Sequence, residues 1–301
     1  MSADALQIRV LLWQPRKGDS TVKLRLILTY TSLVVLGVLL AQLPGLSQGQ
    51  RTAAQKTTTE SGWYKYGQPI PDLKGPAPRL ANGKPSMAGL WSQTRRANVT
   101  DPKVQAGFVP ELPFTAWGKR QWDNYDVVKH GDYAGSCMPF GWSRTLYGPH
   151  PIMFVQDEDK LIMLAEQNTW FTLVYTDGRP HDKELPPTWY GDTVGHWDGD
   201  TLVLETVNLN GYAKVDTIGH PYSSQVKITQ TYRRPTFGTI EHTWTVDDPK
   251  TYTKQWTVKD TWPLEPFNTK LLEYACMENN IETLLSGAIT PWKPPEGEDA
   301  P

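Results

Sequence analysis

General acid–base chemistry needs a group that can exchange a proton near neutral pH, and strand periodicity points to His242 with Asp260 as such a pair. Alternation along residues 239–246 places Ile240, His242, Trp244 and Val246 on one face and Glu241, Thr243 and Thr245 on the other. On the next run, 252–262, Tyr252, Lys254, Trp256, Val258, Asp260 and Trp262 share a face. Residues 225–233 present Val226, Ile228, Gln230 and Tyr232 together. The inferred inner face therefore sets Gln230, His242, Lys254 and Asp260 among aromatic rings. There a carboxylate could orient the imidazole or share its proton. Gln230, Tyr232, Trp244, Lys254, Trp256 and Trp262 are the expected substrate contacts. Buried polar groups need partners or a wet cavity, and a barrel interior lined by aromatics offers both.

Glu205 and Glu166 are secondary acid–base candidates. Glu205 lies opposite Leu202 and Leu204 on its strand, and solvent is the ordinary place for a glutamate. Asp177, Arg179 and Asp200 fall in turn sequences, where capping and ion pairing are their usual work. His181, His196, His220 and His242 lack metal-binding spacing, so no metal is expected. The Gly-x-Ser-x-Gly, phosphate-loop and dinucleotide signatures are absent, and no cofactor is expected. Thirteen tryptophans are spread among the strands as core residues would be.

The elements that must carry these side chains are strands. Residues 188–205 read as strand, tight turn, strand, with Asp198-Gly199 suited to the turn and four carboxylates (Asp192, Asp198, Asp200, Glu205) in one hairpin. A first strand opens at Gly89-Leu90-Trp91, and runs follow at 152–156, 161–166, 170–176, 225–233, 239–246, 252–262 and 270–277. Turn sequences such as 157–160 and Asp247-Asp248-Pro249 separate them. One helix is predicted over 114–129, started by Pro113. Twenty-five prolines and twenty-four glycines suit many short strands. The succession predicts an all-β fold, a lipocalin-like antiparallel barrel or a sandwich, occupying residues 87–289. A flexible tail at 290–301 follows it, and a proline-rich extended wrap at 50–86 precedes it.

Residues 26–43 form an apolar run preceded by Lys17, Lys23 and Arg25, so residues 1–49 read as a signal peptide or an N-terminal membrane anchor. Either places the domain outside the cytoplasm, in the periplasm or tethered to the inner membrane facing it. Cys137 and Cys276 are the only cysteines, and an oxidising compartment favours pairing them over a nucleophilic role. That disulfide would pin the pre-barrel segment to the last strand. A net charge of −2 with dispersed Lys and Arg gives no case for nucleic acid. Membrane contact is expected only through the N-terminal segment.

Several segments together resemble a large group of exported proteins of soil bacteria, acidobacteria especially. They are Cys137-Met138-Pro139-Phe140-Gly141, residues 176–181, residues 187–192, residues 199–203, Gly219-His220-Pro221, Asp247-Asp248-Pro249 and residues 273–279. The resemblance covers roughly 89–280; it implies export and carries over no activity. This chain departs from the group's pattern at Phe171-Thr172, His196, Tyr222, Gln230 and His242, where arginine, a basic residue, histidine, glutamate and an aromatic are usual. The opening Gly89-Leu90-Trp91 also resembles the start of lipocalin-type barrels, which include binders of apolar ligands and some enzymes. The functional expectation is an exported enzyme acting on a small, largely apolar molecule by cofactor-independent cyclisation, isomerisation, hydration or hydrolysis. The alternative is a periplasmic protein that binds such a molecule without chemistry. A carbohydrate-binding or structural envelope role is the third.

Overall fold

In the computed structural model the described residues are 69–93, 98–103, 108–288, 290–297 and 300–301, so the expected signal or anchor segment lies outside them. Within these residues, no helix is long and apolar enough to cross a membrane.

Nine strands form one sheet in chain order: β1 Gly89–Trp91, β2 Ile152–Gln156, β3 Lys160–Ala165, β4 Trp170–Tyr175, β5 Asp192–Asp198, β6 Thr201–Val207, β7 Lys227–Thr236, β8 Thr239–Asp247 and β9 Trp256–Pro263. Neighbours in sequence are neighbours in space, as hairpin chemistry dictates. The Asp157 carboxylate accepts from the Asp159 and Lys160 amides and folds β2 back onto β3. Between β5 and β6, Asp198 pairs with Thr201, so the turn centres on Gly199 and Asp200 rather than on Asp198-Gly199. Gly199 has φ of 57° and Asp200 is not left-handed, which is the pattern of a II′ turn.

The sheet then returns on itself. Trp91 bridges Leu264 just past β9, Ser92 N–H donates to Pro263 O (3.0 Å), and Glu265 N–H donates to Leu90 O (2.8 Å). The result is a nearly closed barrel in the up-and-down order that lipocalin-type barrels use. One seam departs from antiparallel pairing: β4 and β5 run parallel and share the single pair Tyr175–Val194.

Arg234 fastens this closure from inside. Its buried guanidinium donates to Ser86 O (2.6 Å), Ala88 O (3.0 Å) and Phe237 O (3.1 Å from Nε), and lies 4.8 Å from the Trp91 ring centroid. Burial lowers its pKa to about 9, which leaves it charged at neutral pH. Arg234→Ala leaves those carbonyls without their donor and is expected to cost about 2 kcal/mol in urea denaturation. An unchanged midpoint would contradict the fastening role.

The helices differ from expectation. The run 114–129 splits into α1 Ala116–Asp123 and α2 Val127–His130. Thr115 caps α1, and Asp126 caps α2 by accepting from the Val128 and Lys129 amides, a cap that helical spacing alone does not reveal. A further short helix, α3 Gly141–Leu146, buries Trp142 and Leu146, with the Trp142 ring edge-on to Trp170 and Tyr190. The predicted strand at 270–277 does not form. Its Leu272 amide is held by Glu166 instead, and α4 Cys276–Leu285 begins within it. The Cys137–Cys276 disulfide is present, with Cα atoms 5.6 Å apart, but it joins the connection between β1 and β2, not a segment preceding the barrel, to the start of α4 rather than to a last strand.

Candidate functional site

The β8–β9 register places His242 directly opposite Asp260, with Nδ1 3.7 Å from Oδ2 and both side chains fully buried. Tyr232 stands opposite His242 on β7, its ring centroid 4.8 Å away, and the Trp262 ring lies 4.5 Å from the imidazole. The Tyr232 hydroxyl donates to Gln230 Oε1 (2.6 Å), and burial pushes that phenol's pKa well up. Phe154 packs edge-on to Tyr232, while Trp244 meets Trp256 at 5.2 Å and Tyr147 at 5.3 Å. Side chains thus fill the interior around the pair, so reaction there requires the barrel to open. Lys254 takes no part. The β9 strand begins only at Trp256, which leaves Lys254 exposed in the β8–β9 connection and corrects its expected inward position.

The other carboxylates have local work. Glu166 binds His150 Nδ1 with one oxygen (2.9 Å) and the Leu272 amide with the other (2.7 Å). Glu205 faces outward between Lys227 (3.2 Å) and His181 Nε2 (3.4 Å), whose Nδ1 meets Asp192 at 2.8 Å. Partial burial opposes ionisation of Glu205, but Lys227 and His181 outweigh it and hold its pKa below the usual value. Asp177 is drawn down to about 2 by Arg179, which stacks on Tyr175. Asp200 pairs with Arg79 (2.6 Å). Among the described residues no group of three or more His, Cys, Asp or Glu is placed to hold a metal.

Outside the barrel lies a cleft of about 750 Å³. It is assembled from the β3–β4 corner and the start of β4 (Asn168, Trp170, Phe171, Thr172), the approach to β5 (Thr188 to Gly191), Cys137 with Pro139, and the segment entering α4 (Tyr274 to Met277). Trp170 and Tyr190 stack at 3.6 Å with an 11° tilt, and Trp142 braces both edge-on from the core. The Tyr190 hydroxyl lies 3.1 Å from Thr145 Oγ1, and burial raises its pKa to about 12, so it stays a neutral hydrogen-bonding group. Phe171 is 66% exposed at one rim and Met277 47% exposed at the other.

Backbone strain gathers here. Of the four left-handed non-glycine residues described, Cys137 (φ 58°) and Asn168 (φ 62°) line the cleft and Thr169 (φ 48°) adjoins it. Such conformations cost on the order of 1–3 kcal/mol each and persist where surrounding structure enforces them. The disulfide constrains Cys137, and Thr169 Oγ1 donates to Tyr274 O (3.0 Å). Gly191 completes the wall with φ of 67°; a Cβ there would stand 2.2 Å from Val207 O.

Sequence reasoning did not find this cleft, because its walls come from four remote segments with no shared period. The concentration of aromatics at Trp170-Phe171 and Trp189-Tyr190 was the available signal. The cleft opens onto the outer face of β2–β4, where the cross-strand rows Met153–Leu164–Phe171 and Val155–Ile162–Leu173 are apolar.

No family model matches the chain, and no curated protein matches it. Among solved structures, the crystal structure of a secretary abundant heat soluble (SAHS) protein from Ramazzottius varieornatus is similar at 12% identity, covering 61% of this chain and 97% of that one, with a TM-score of 0.28. At that score the likeness carries no argument about this protein, whose barrel rests on its own strand pairing.

Proposed function

We propose that this protein is an exported binder of a small, largely apolar, ring-bearing molecule, held in the aromatic cleft beside the Cys137–Cys276 disulfide. The observation that carries this reading is the cleft itself: about 750 Å³, floored by the Trp170–Tyr190 stack and rimmed by exposed Phe171 and Met277. Binding sites for small molecules are concave and mostly apolar, with few polar groups to fix orientation, and Asn168, Thr172 and Thr188 supply those. Export is supported by the disulfide, by the basic-then-apolar N-terminal sequence and by the resemblance to exported proteins of soil bacteria. A periplasmic or membrane-tethered location follows, with the apolar compound as partner.

Acid–base turnover at His242–Asp260 is the second reading, favoured by their direct opposition at 3.7 Å in a desolvated interior. It requires no cofactor. It does require an opening motion to admit a substrate, which the cleft does not.

The probe 8-anilinonaphthalene-1-sulfonate, flat and largely apolar, tests the first reading by fluorescence titration of the oxidised protein. Saturable binding is expected, weakened tenfold or more by Met277→Asp, about 1.4 kcal/mol. Leu173→Asp, on the outer face and outside the cleft, leaves it unchanged. Equal affinities for wild type and Met277→Asp would overturn the assignment.

A further inference from the structure

The stretch 208–224 contains one lysine, and the fold turns it toward a second, smaller pocket. The Lys214 backbone is fixed on both sides: its N–H donates to the Tyr133 hydroxyl (3.1 Å) and its carbonyl accepts from Ser143 Oγ (2.9 Å). From there the side chain reaches a pocket of about 200 Å³ walled by Gln121, Asn124, Tyr125, His130 and the segment from Trp292 to Pro295. Its Nζ lies 5.6 Å from the Tyr125 ring centroid.

The nearby carboxylates are engaged elsewhere. Asp126 caps α2, Asp132 pairs with Arg144 (3.6 Å), and buried Asp216 binds His220 Nδ1 (2.6 Å) and the Val99 amide. Among the described residues none stands within ion-pairing distance of the Lys214 ammonium. Burial of this ammonium, with no carboxylate among the described residues in reach, disfavours the charged form, and the attraction of the Tyr125 ring offsets only part of that cost.

We propose that Lys214 is the reactive amine of a second small-molecule site, one that takes a small aldehyde by reversible condensation. The neutral Nζ adds to the carbonyl carbon, the carbonyl oxygen collects two protons and leaves as water, and an imine remains; water reverses the step. No oxidant or reductant is involved.

Desolvation lowers the Lys214 pKa to about 8. At pH 7 roughly a tenth of such an amine is neutral, against well under a thousandth of an ordinary lysine. Among the described residues, the charged and titratable groups around it are Tyr125, Asp126 and His130 from the α1–α2 region, Lys293 from the C-terminal segment, and Tyr133, Asp132, Arg144 and Asp216 behind the pocket. This site is separate from the disulfide cleft, and the inference stands whether or not that cleft binds a ligand.

Reductive trapping tests it on the full-length oxidised protein. Benzaldehyde with cyanoborohydride at pH 7, followed by peptide mapping, is expected to label Lys214 at least tenfold faster than exposed Lys129 and Lys254. That advantage disappears near pH 10.5, and Lys214→Arg removes the fast phase. Labelling of Lys214 no faster than Lys129 would overturn the proposal.

Lys214→Met gives an independent measurement. A base whose folded pKa is lowered destabilises the fold while charged, so its penalty is relieved as pH rises from about 8 toward the unfolded value of about 10.4. The Tm of wild type should therefore rise relative to Lys214→Met across that window. A pH-independent difference would show that folding does not lower the pKa of this amine, and would overturn the proposal as well.

Discussion

Replacing both Cys137 and Cys276 with serine lowers the unfolding free energy by roughly 3–5 kcal/mol and abolishes binding in the cleft, while the far-ultraviolet signature of the barrel persists. The magnitude follows from chain entropy. The bond joins positions 139 residues apart, so its removal frees a very long loop in the unfolded chain. Its effect on the cleft is local. Cys137 sits in the left-handed region at φ 58°, and Cys276 begins α4, whose Met277 forms the opposite rim. Without the bond, the strained corner and the α4 rim are no longer tied together. Guanidinium denaturation with and without reductant measures the first effect, and probe titration of the same samples the second. An unchanged midpoint under full reduction would contradict the account.

Asp260→Ala is the second large effect. It removes the carboxylate opposite His242 in the buried interior, which is expected to cost roughly 1–3 kcal/mol. Replacing both partners, as His242→Phe with Asp260→Val, restores an apolar interior among Tyr232 and Trp262 and is expected to be nearly neutral. The comparison also separates the two functional readings. In the binding reading the double variant retains full affinity for the cleft ligand. In the acid–base reading it folds normally but turns over no substrate. Urea denaturation of both variants supplies the stability test, and a double variant as unstable as Asp260→Ala would contradict the packing argument.

The barrel was legible because its strands alternate. On β8 and β9 the buried positions follow a strict period of two, so the inward set Ile240, His242, Trp244, Val258, Asp260 and Trp262 could be read from pattern alone. Where alternation extended past the hydrogen-bonded ladder, the reading failed. Lys254 fits the period but precedes the first paired residue, Trp256. Residues 270–277 have strand-like composition but no neighbouring edge to pair with, and Glu166 captures the Leu272 amide instead.

The break in the predicted helix was marked by Asn124 and Asp126, whose capping preference competes with the apolar stripe that suggested continuity. The cleft was illegible for a different reason. Its lining is set by how the barrel mouth, the disulfide and the α4 segment meet, and residues such as Trp170 and Tyr190 become stacked partners only in three dimensions. Lys214 was likewise undistinguished in sequence; only folding brings it, partly buried, to the small pocket beside Tyr125 with no carboxylate among the described residues in reach.

The central claim is that a ligand sits in the disulfide cleft and not inside the barrel. Hydrogen–deuterium exchange of the oxidised protein, with and without saturating 8-anilinonaphthalene-1-sulfonate, tests it most directly. The account predicts added protection at residues 137–139, 168–172, 188–191 and 274–277, with β7, β8 and β9 unchanged. Protection confined to β7, β8 and β9, with the four cleft segments unaffected, would contradict it.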